Sequence, residues 1–97
     1  MELLFENQKS GNGGVIIMKN RQEEIGRLTY TIMPEQNLLV VSYVMIHSKF
    51  GGKGLGKRLV EESVEFARKN DWKLKAHCSY AHTVLMRKED VADVFTA

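Results

Sequence analysis

Cysteine is nearly absent from this sequence, and the shortage sets a first limit. Cys78 stands alone, which excludes an intramolecular disulfide framework and fits a reducing, cytoplasmic setting. The three histidines add no close pair at ligand spacing, so no structural metal site is expected. Long hydrophobic runs are missing too: nothing approaches the roughly 20 residues a membrane span requires. The opening Met1-Glu2-Leu3-Leu4-Phe5-Glu6 has neither a basic leader nor a long apolar stretch, so no secretory signal is expected there. Charge of one sign is scarce as well. A net charge of +2 is too small to point to nucleic acid.

What is present is an ordinary globular composition. The 97 residues leave room for a single domain, 1–97, around one core; 43% hydrophobic and 27% charged residues argue against disorder. No repeat or low-complexity tract interrupts it. Charge is small in sum but uneven in place. Lys49, Lys53, Lys57 and Arg58 fall in a stretch without a single acid. Such a patch suits a small polyanion, or is no more than a solvated basic turn.

Turn signals divide the first half into short segments. Residues 3–8 and 15–19 read as strands around the turn Ser10-Gly11-Asn12-Gly13-Gly14. Gly26, Leu28, Tyr30 and Ile32 then alternate with Arg27, Thr29 and Thr31, the pattern of a half-buried strand. After a turn at Pro34-Glu35-Gln36-Asn37, residues 38–46 are apolar except for Ser42 and Tyr43's hydroxyl. That run predicts a strand buried on both faces and central in the sheet.

The period changes after the glycines that follow. Leu55, Leu59, Val60, Val64, Phe66 and Ala67 recur at helical spacing. On the opposite face Lys57–Glu61, Arg58–Glu62 and Glu65–Lys69 stand four apart, as helix-supporting pairs do. Asn70 suits a left-handed helix end. Trp72, Leu74, Ala76 and Cys78 alternate with Lys73, Lys75 and His77, predicting a fifth strand. Ser79 is placed to cap a short helix over 80–87, and the tail 91–95 is apolar enough to dock. A strand-helix-strand crossover makes the fourth and fifth strands parallel. The expectation is a mixed α/β fold: about five strands, one long helix and a short C-terminal helix.

Between the fourth strand and the long helix lies Gly51-Gly52-Lys53-Gly54-Leu55-Gly56. A helix start carries backbone N–H groups without intrahelical partners and partial positive charge. Glycines let an anion approach that backbone closely. The segment therefore reads as an anion site, with Lys53 and Lys57 adding charge, or as a glycine-rich connection that only allows a tight turn. Residues 51–57 also fit the start of the P-loop pattern G-x-x-x-x-G-K, but Arg58 stands where Ser or Thr must bind magnesium. The dinucleotide pattern G-x-G-x-x-G fails at Lys57.

Residues 51–60, Gly-Gly-Lys-Gly-Leu-Gly-Lys-Arg-Leu-Val, resemble the pyrophosphate loop Q/R-x-x-G-x-G/A of the GNAT superfamily of N-acetyltransferases. Gly54 and Gly56 take its two small positions. Gly51 replaces the usual Gln or Arg, as in a compact GNAT-like family of about this length. That family also carries a cysteine at the end of the next strand, as in Ala76-His77-Cys78-Ser79-Tyr80 here. The resemblance covers residues 38–95. It implies a truncated GNAT-like fold in which the fourth and fifth strands splay. It implies acetyl-CoA, or CoA, as the bound cosubstrate. The pantetheine arm would lie on Val44, Met45 and Ile46, with the pyrophosphate on Gly51, Gly52, Lys53, Gly54, Leu55, Gly56 and Lys57. The acceptor, an amine or a protein, stays unidentified, because the compact family lacks the helices that enclose it in larger relatives. Relatives often carry His-Thr in the central strand; Tyr43-Val44 stands here instead.

Candidate catalytic groups follow. Cys78 reads from its pattern as a small core residue. Its place just before a helix start, where partial positive charge favours a thiolate, also makes it a candidate acyl acceptor or proton donor. Tyr80 is the candidate phenolic acid near the leaving sulfur, or a packing residue against the long helix. His77 faces away from Cys78, while His82 lies one turn beyond it. His47, Glu24, Glu35 and Asp90 read as surface groups. Three functions remain: an acyltransferase acting directly or through Cys78, a non-catalytic module that binds or senses acyl-CoA, and a structural or interaction domain with no small ligand.

Overall fold

Residues 2–96 are described by a computed structural model, and its elements begin and end near the turn signals. Strands β1 (Leu4–Ser10), β2 (Gly13–Lys19), β3 (Glu24–Met33) and β4 (Leu38–Ile46) precede helix α1 (Leu55–Lys69), strand β5 (Lys73–Ala76) and helix α2 (Ser79–Arg87). The sheet has the order β1-β2-β3-β4-β5, antiparallel throughout except for the parallel pair β4–β5. The turn at residues 10–14 shrinks to Gly11 and Asn12, because Lys9 pairs with Gly14 and Ser10 with Gly13. Gly11 supplies the positive φ, 59°, that so tight a connection needs.

One face of the sheet carries the core. Ile16, Met18, Leu28, Tyr30, Leu39, Val41 and Leu74 pack with Leu59, Val60, Val64 and Ala67 of α1 and with Ala81 and Leu85 of α2. Each large apolar side chain buried this way stabilises the fold by about 1.5–3 kcal/mol. Val40 alternates with Leu39 and Val41; it is buried but stands outside that cluster. It faces the other side of the sheet, which neither helix covers. The tail docks as expected: Val91 and Val94 are buried, and Leu74 exchanges hydrogen bonds with Val94 and Thr96 at 2.7 and 2.8 Å.

Several local expectations are corrected. β4 is fourth of five strands, and only residues 39–41 are buried on both sides; Ser42 and Tyr43 are exposed. β5 is four residues long, with Trp72 before it and Cys78 after it. Trp72 N–H instead closes α1 on Ala67 O at 2.9 Å. The left-handed residue after α1 is Asp71, φ 57°, while Asn70 has φ −105°. Cys78, not Ser79, occupies the N-cap of α2, and no side chain caps that helix.

Of the three helix pairs only Arg58–Glu62 is within ion-pair reach, at 4.0 Å. Glu61 turns to Lys88 at 3.0 Å, and Glu65 to Arg68 at 2.6 Å. Folding brings the less exposed Lys88 alongside α1, and a partly desolvated partner outcompetes a fully hydrated lysine on the same helix. Arg68 also grips Asp93 with two nitrogens, at 2.8 and 2.9 Å, tying the tail to α1. Among the described residues no helix is long and apolar enough to cross a membrane. Nor is there a group of three or more acidic, histidine or cysteine residues able to hold a metal ion.

Candidate functional site: a cleft where two parallel strands part

The site begins with a fault in the ladder. Thr29 pairs with Tyr43 and Tyr30 with Val41, so Ser42 is an extra residue, a β-bulge in β4. Bulging by one residue reverses the alternation. Val44 and Ile46 thereby point to the same face as Leu39 and Val41, and both pack against the core.

The partner strand leaves at the same level. Pairing of β4 with β5 ends at Val41 and Ala76. Val41 O accepts the N–H groups of both His77, at 2.9 Å, and Cys78, at 3.3 Å. The chain then turns into α2, and residues 42–46 of β4 have no strand on that side. Which peptide groups this leaves free follows from the ladder. His47 N–H donates to Ile25 O at 2.9 Å, so residues 43, 45 and 47 turn their polar groups toward β3. Val44 and Ile46 turn theirs into the gap.

The gap runs toward the glycine loop. Buried Phe50 anchors the loop from below, and Gly51 N–H donates to Ser48 O at 3.1 Å. Gly52 and Gly54 take φ of 75° and 74°, in the left-handed region, and no atom lies within 4 Å of a side chain built on either. Gly54 is the N-cap of α1 and offers no side-chain oxygen to the helix. Arg58 N–H is the first to find a backbone acceptor, Gly54 O at 3.3 Å. The N–H groups of residues 52–57 meet no acceptor among the described residues. A run of unpaired donors at the positive end of a helix is an anion cradle.

Tyr80, from the first turn of α2, forms the remaining wall. A Cβ on Gly56 would lie 2.6 Å from the Tyr80 hydroxyl oxygen, so glycine there is what lets the ring rest on α1. The open cleft measures about 370 Å³ and is lined by Val44, Ile46, Phe50, Gly51, Gly52, Gly54, Leu55, Gly56 and Tyr80. The free peptide groups of Val44 and Ile46 can bond amide groups of a ligand, and the unpaired N–H groups of residues 52–57 can take an anion.

Four of the sequence candidates stand apart from this lining. Met45 bonds toward β3. Lys53 and Lys57 are exposed beside the loop and make no ion pair among the described residues, whereas Lys49 is taken by Glu23 at 2.5 Å. Cys78 is half-buried at the apex where the strands part. Among the described residues no histidine hydrogen-bonds to its thiol. His77 lies on the other face, and the His82 ring packs edge-on against Phe95 at 5.8 Å. His47 and Glu24 are not isolated surface groups: His47 Nε2 lies 2.8 Å from Glu24 Oε2. Hydrogen bonds from Arg27, and then from His47, hold the Glu24 carboxyl down at about 2. Phe50 and Ser42 were not singled out from sequence. The signal for Ser42 was its position as the one small polar residue inside an apolar strand.

Comparison with solved structures places the fold. A Bacillus subtilis acetyltransferase in complex with CoA superposes with a TM-score of 0.72 at 13% identity, over 89% of this chain and 74% of that one. The solution structure of a GCN5-like protein from Staphylococcus aureus matches at 27% identity, over 95% and 88% of the two chains, with a TM-score of 0.68. Nourseothricin acetyltransferase matches at 18% identity and a TM-score of 0.56, and the match spans 38% of its length. These likenesses define a small acetyltransferase-type α/β fold. The chain belongs to the GCN5-related N-acetyltransferase family, whose sequence signature matches residues 15–94. The match thus reaches further upstream than the loop, helix and cysteine that first carried the resemblance. No functionally curated protein matches the chain.

Proposed function

We propose that this protein is an N-acetyltransferase that draws its acyl group from acetyl-CoA and holds it in the cleft between β4 and β5. One observation carries the reading. The free peptide groups of Val44 and Ile46 run directly to the unpaired N–H groups of the glycine loop. A pantetheine arm would bond to the two strand residues, as a fifth-strand edge would. The pyrophosphate would sit on the N–H groups of residues 52–57, with Lys53 and Lys57 adding attraction from solvent. Tyr80 rests on the first turn of α1, at the loop end of the cleft, and serves to hold the arm. The thioester is then directed toward the bulge at Ser42.

The transfer is direct. A neutral primary amine attacks the thioester carbonyl carbon; a C–N bond forms, the C–S bond breaks, and the departing CoA sulfur takes up the proton the amine gives up. Most of the acceleration comes from positioning and from backbone dipoles around the carbonyl. Cys78 is not the first acceptor in this account, because its half-buried thiol has no histidine set to activate it.

A single-turnover assay with Cys78→Ala tests this. Acyl transfer within about threefold of wild type, below the 10²-fold or greater loss typical when a proton-transfer group is removed, is the expected result. An acyl adduct on wild-type Cys78, absent from an inactive variant, would establish the covalent route instead. Tight acetyl-CoA binding with no transfer to any amine would leave a binding module.

A further inference from the structure

The face of the sheet turned away from both helices bears on what the acceptor is; the argument rests on the acyltransferase reading above. Around the bulge this face is open. Ser42 is exposed, Tyr43 is 57% exposed, and Lys75 and His77 flank them from the end of β5. Lys75 alternates with buried Leu74 and Ala76 and pairs in register with Val40, which fixes it on the uncovered face. None of these four residues lines the cavity between β4 and the glycine loop, so they lie outside the space given to the cosubstrate. The charges on the face do not cancel. Glu6 is neutralised by Lys19 at 2.7 Å and Glu24 by Arg27 at 2.6 Å. Lys75 has no acidic partner among the described residues.

We propose that the acyl acceptor is a primary amine carried on an acidic segment of another protein, laid across the open face around Tyr43, Lys75 and His77. The partner's own surface then supplies the wall that this chain lacks, and Tyr43 offers a flat apolar platform for its backbone. Lys75 selects the sequence around the amine by charge, which acts on encounter and register more than on the chemical step.

The test uses the whole protein saturated with acetyl-CoA and short peptides bearing one lysine among acidic, neutral or basic neighbours, with spermidine as the small amine. The acidic peptide should be acylated with a kcat/KM about tenfold above the neutral one at low salt, and the advantage should fade at high salt. Lys75→Glu should lower that value about fivefold and leave the acetyl-CoA Kd unchanged. Equal or faster acylation of spermidine or the basic peptide would overturn the proposal. So would self-association through this face, seen as a concentration-dependent mass that Lys75→Glu abolishes. Failure of acetyl-CoA to bind wild type removes the acyltransferase reading and this proposal with it. Normal binding without charge preference removes this proposal alone.

Discussion

Substituting Gly54 by alanine tests the loop most sharply, because the structure separates strain from crowding at that position. Gly54 has φ of 74°, and nothing lies within 4 Å of a side chain placed there. The methyl group therefore meets no neighbour, and the cost is backbone strain of about 1–2 kcal/mol. A chain of this size should lose several degrees of Tm, about 4–8 °C for each kcal/mol. The free loop can relieve the strain by rotating the peptide, which turns N–H groups out of the cradle. Whatever part of the cost the free loop relieves in this way spares the Tm and reappears in binding, which must restore the strained form; full relief raises the CoA Kd about 5–30-fold. Gly11→Ala is the matched control. Its φ is 59°, its surroundings are equally open, and it sits in the β1–β2 turn, away from the cleft. It should lower Tm comparably and leave Kd alone. Thermal melts followed by circular dichroism, with calorimetric titration of CoA, read both quantities. Equal Kd values for Gly11→Ala, Gly54→Ala and wild type would refute the loop as the phosphate cradle.

Further outcomes follow from other contacts. Gly56→Ala should gain about 0.8–1 kcal/mol of helix propensity yet weaken CoA binding, because the methyl pushes the Tyr80 ring off α1; adding Tyr80→Ala should weaken it little further, since the ring has already left its place. Cys78→Ala should retain acyl transfer in a single turnover. Glu24 is charged down to about 2, well below its ordinary 4.5, so its contribution is complete above that ordinary value and is lost as pH falls toward 2. Acid melts of Glu24→Gln should accordingly show a shallower loss of Tm across that window than wild type. Asp93, held low by Arg68, behaves in the same direction, and Asp93→Asn should loosen the tail, read as faster amide exchange at Leu74 and Phe95.

The fold and the glycine loop were legible because local pattern determines them. Alternation wrote β3, the run after Asn37 wrote β4 to the residue, and helical spacing wrote α1 from Leu55. Four glycines between them fix where chain reversal and an open backbone must fall. The cleft was less legible. A bulge at Ser42 depends on how two neighbouring strands pair, and within β4 only the lone small polar residue marks its place; yet it decides that Val44 and Ile46, and not Met45, offer their peptide groups. The ion pairs changed partners for a similar reason. Lys88 reaches α1 only after α2 has docked, so same-helix spacing points Glu61 to the wrong lysine, while Glu65 takes Arg68 at i+3 rather than Lys69 at i+4. The position of Cys78 as a helix N-cap turns on where β5 stops, four residues after it begins, once the tail has taken its outer edge at Leu74 and Phe95.

The central claim is that acetyl-CoA lies along β4 with its phosphates on the start of α1. Amide NMR shifts during an acetyl-CoA titration test it most directly. The account predicts saturable shifts concentrated at Val44, Ile46 and the residues 51–57, with Tyr80 responding and the β1–β2 turn silent. Absence of shifts at millimolar ligand, or shifts centred on the groove between α1 and β1, would contradict it.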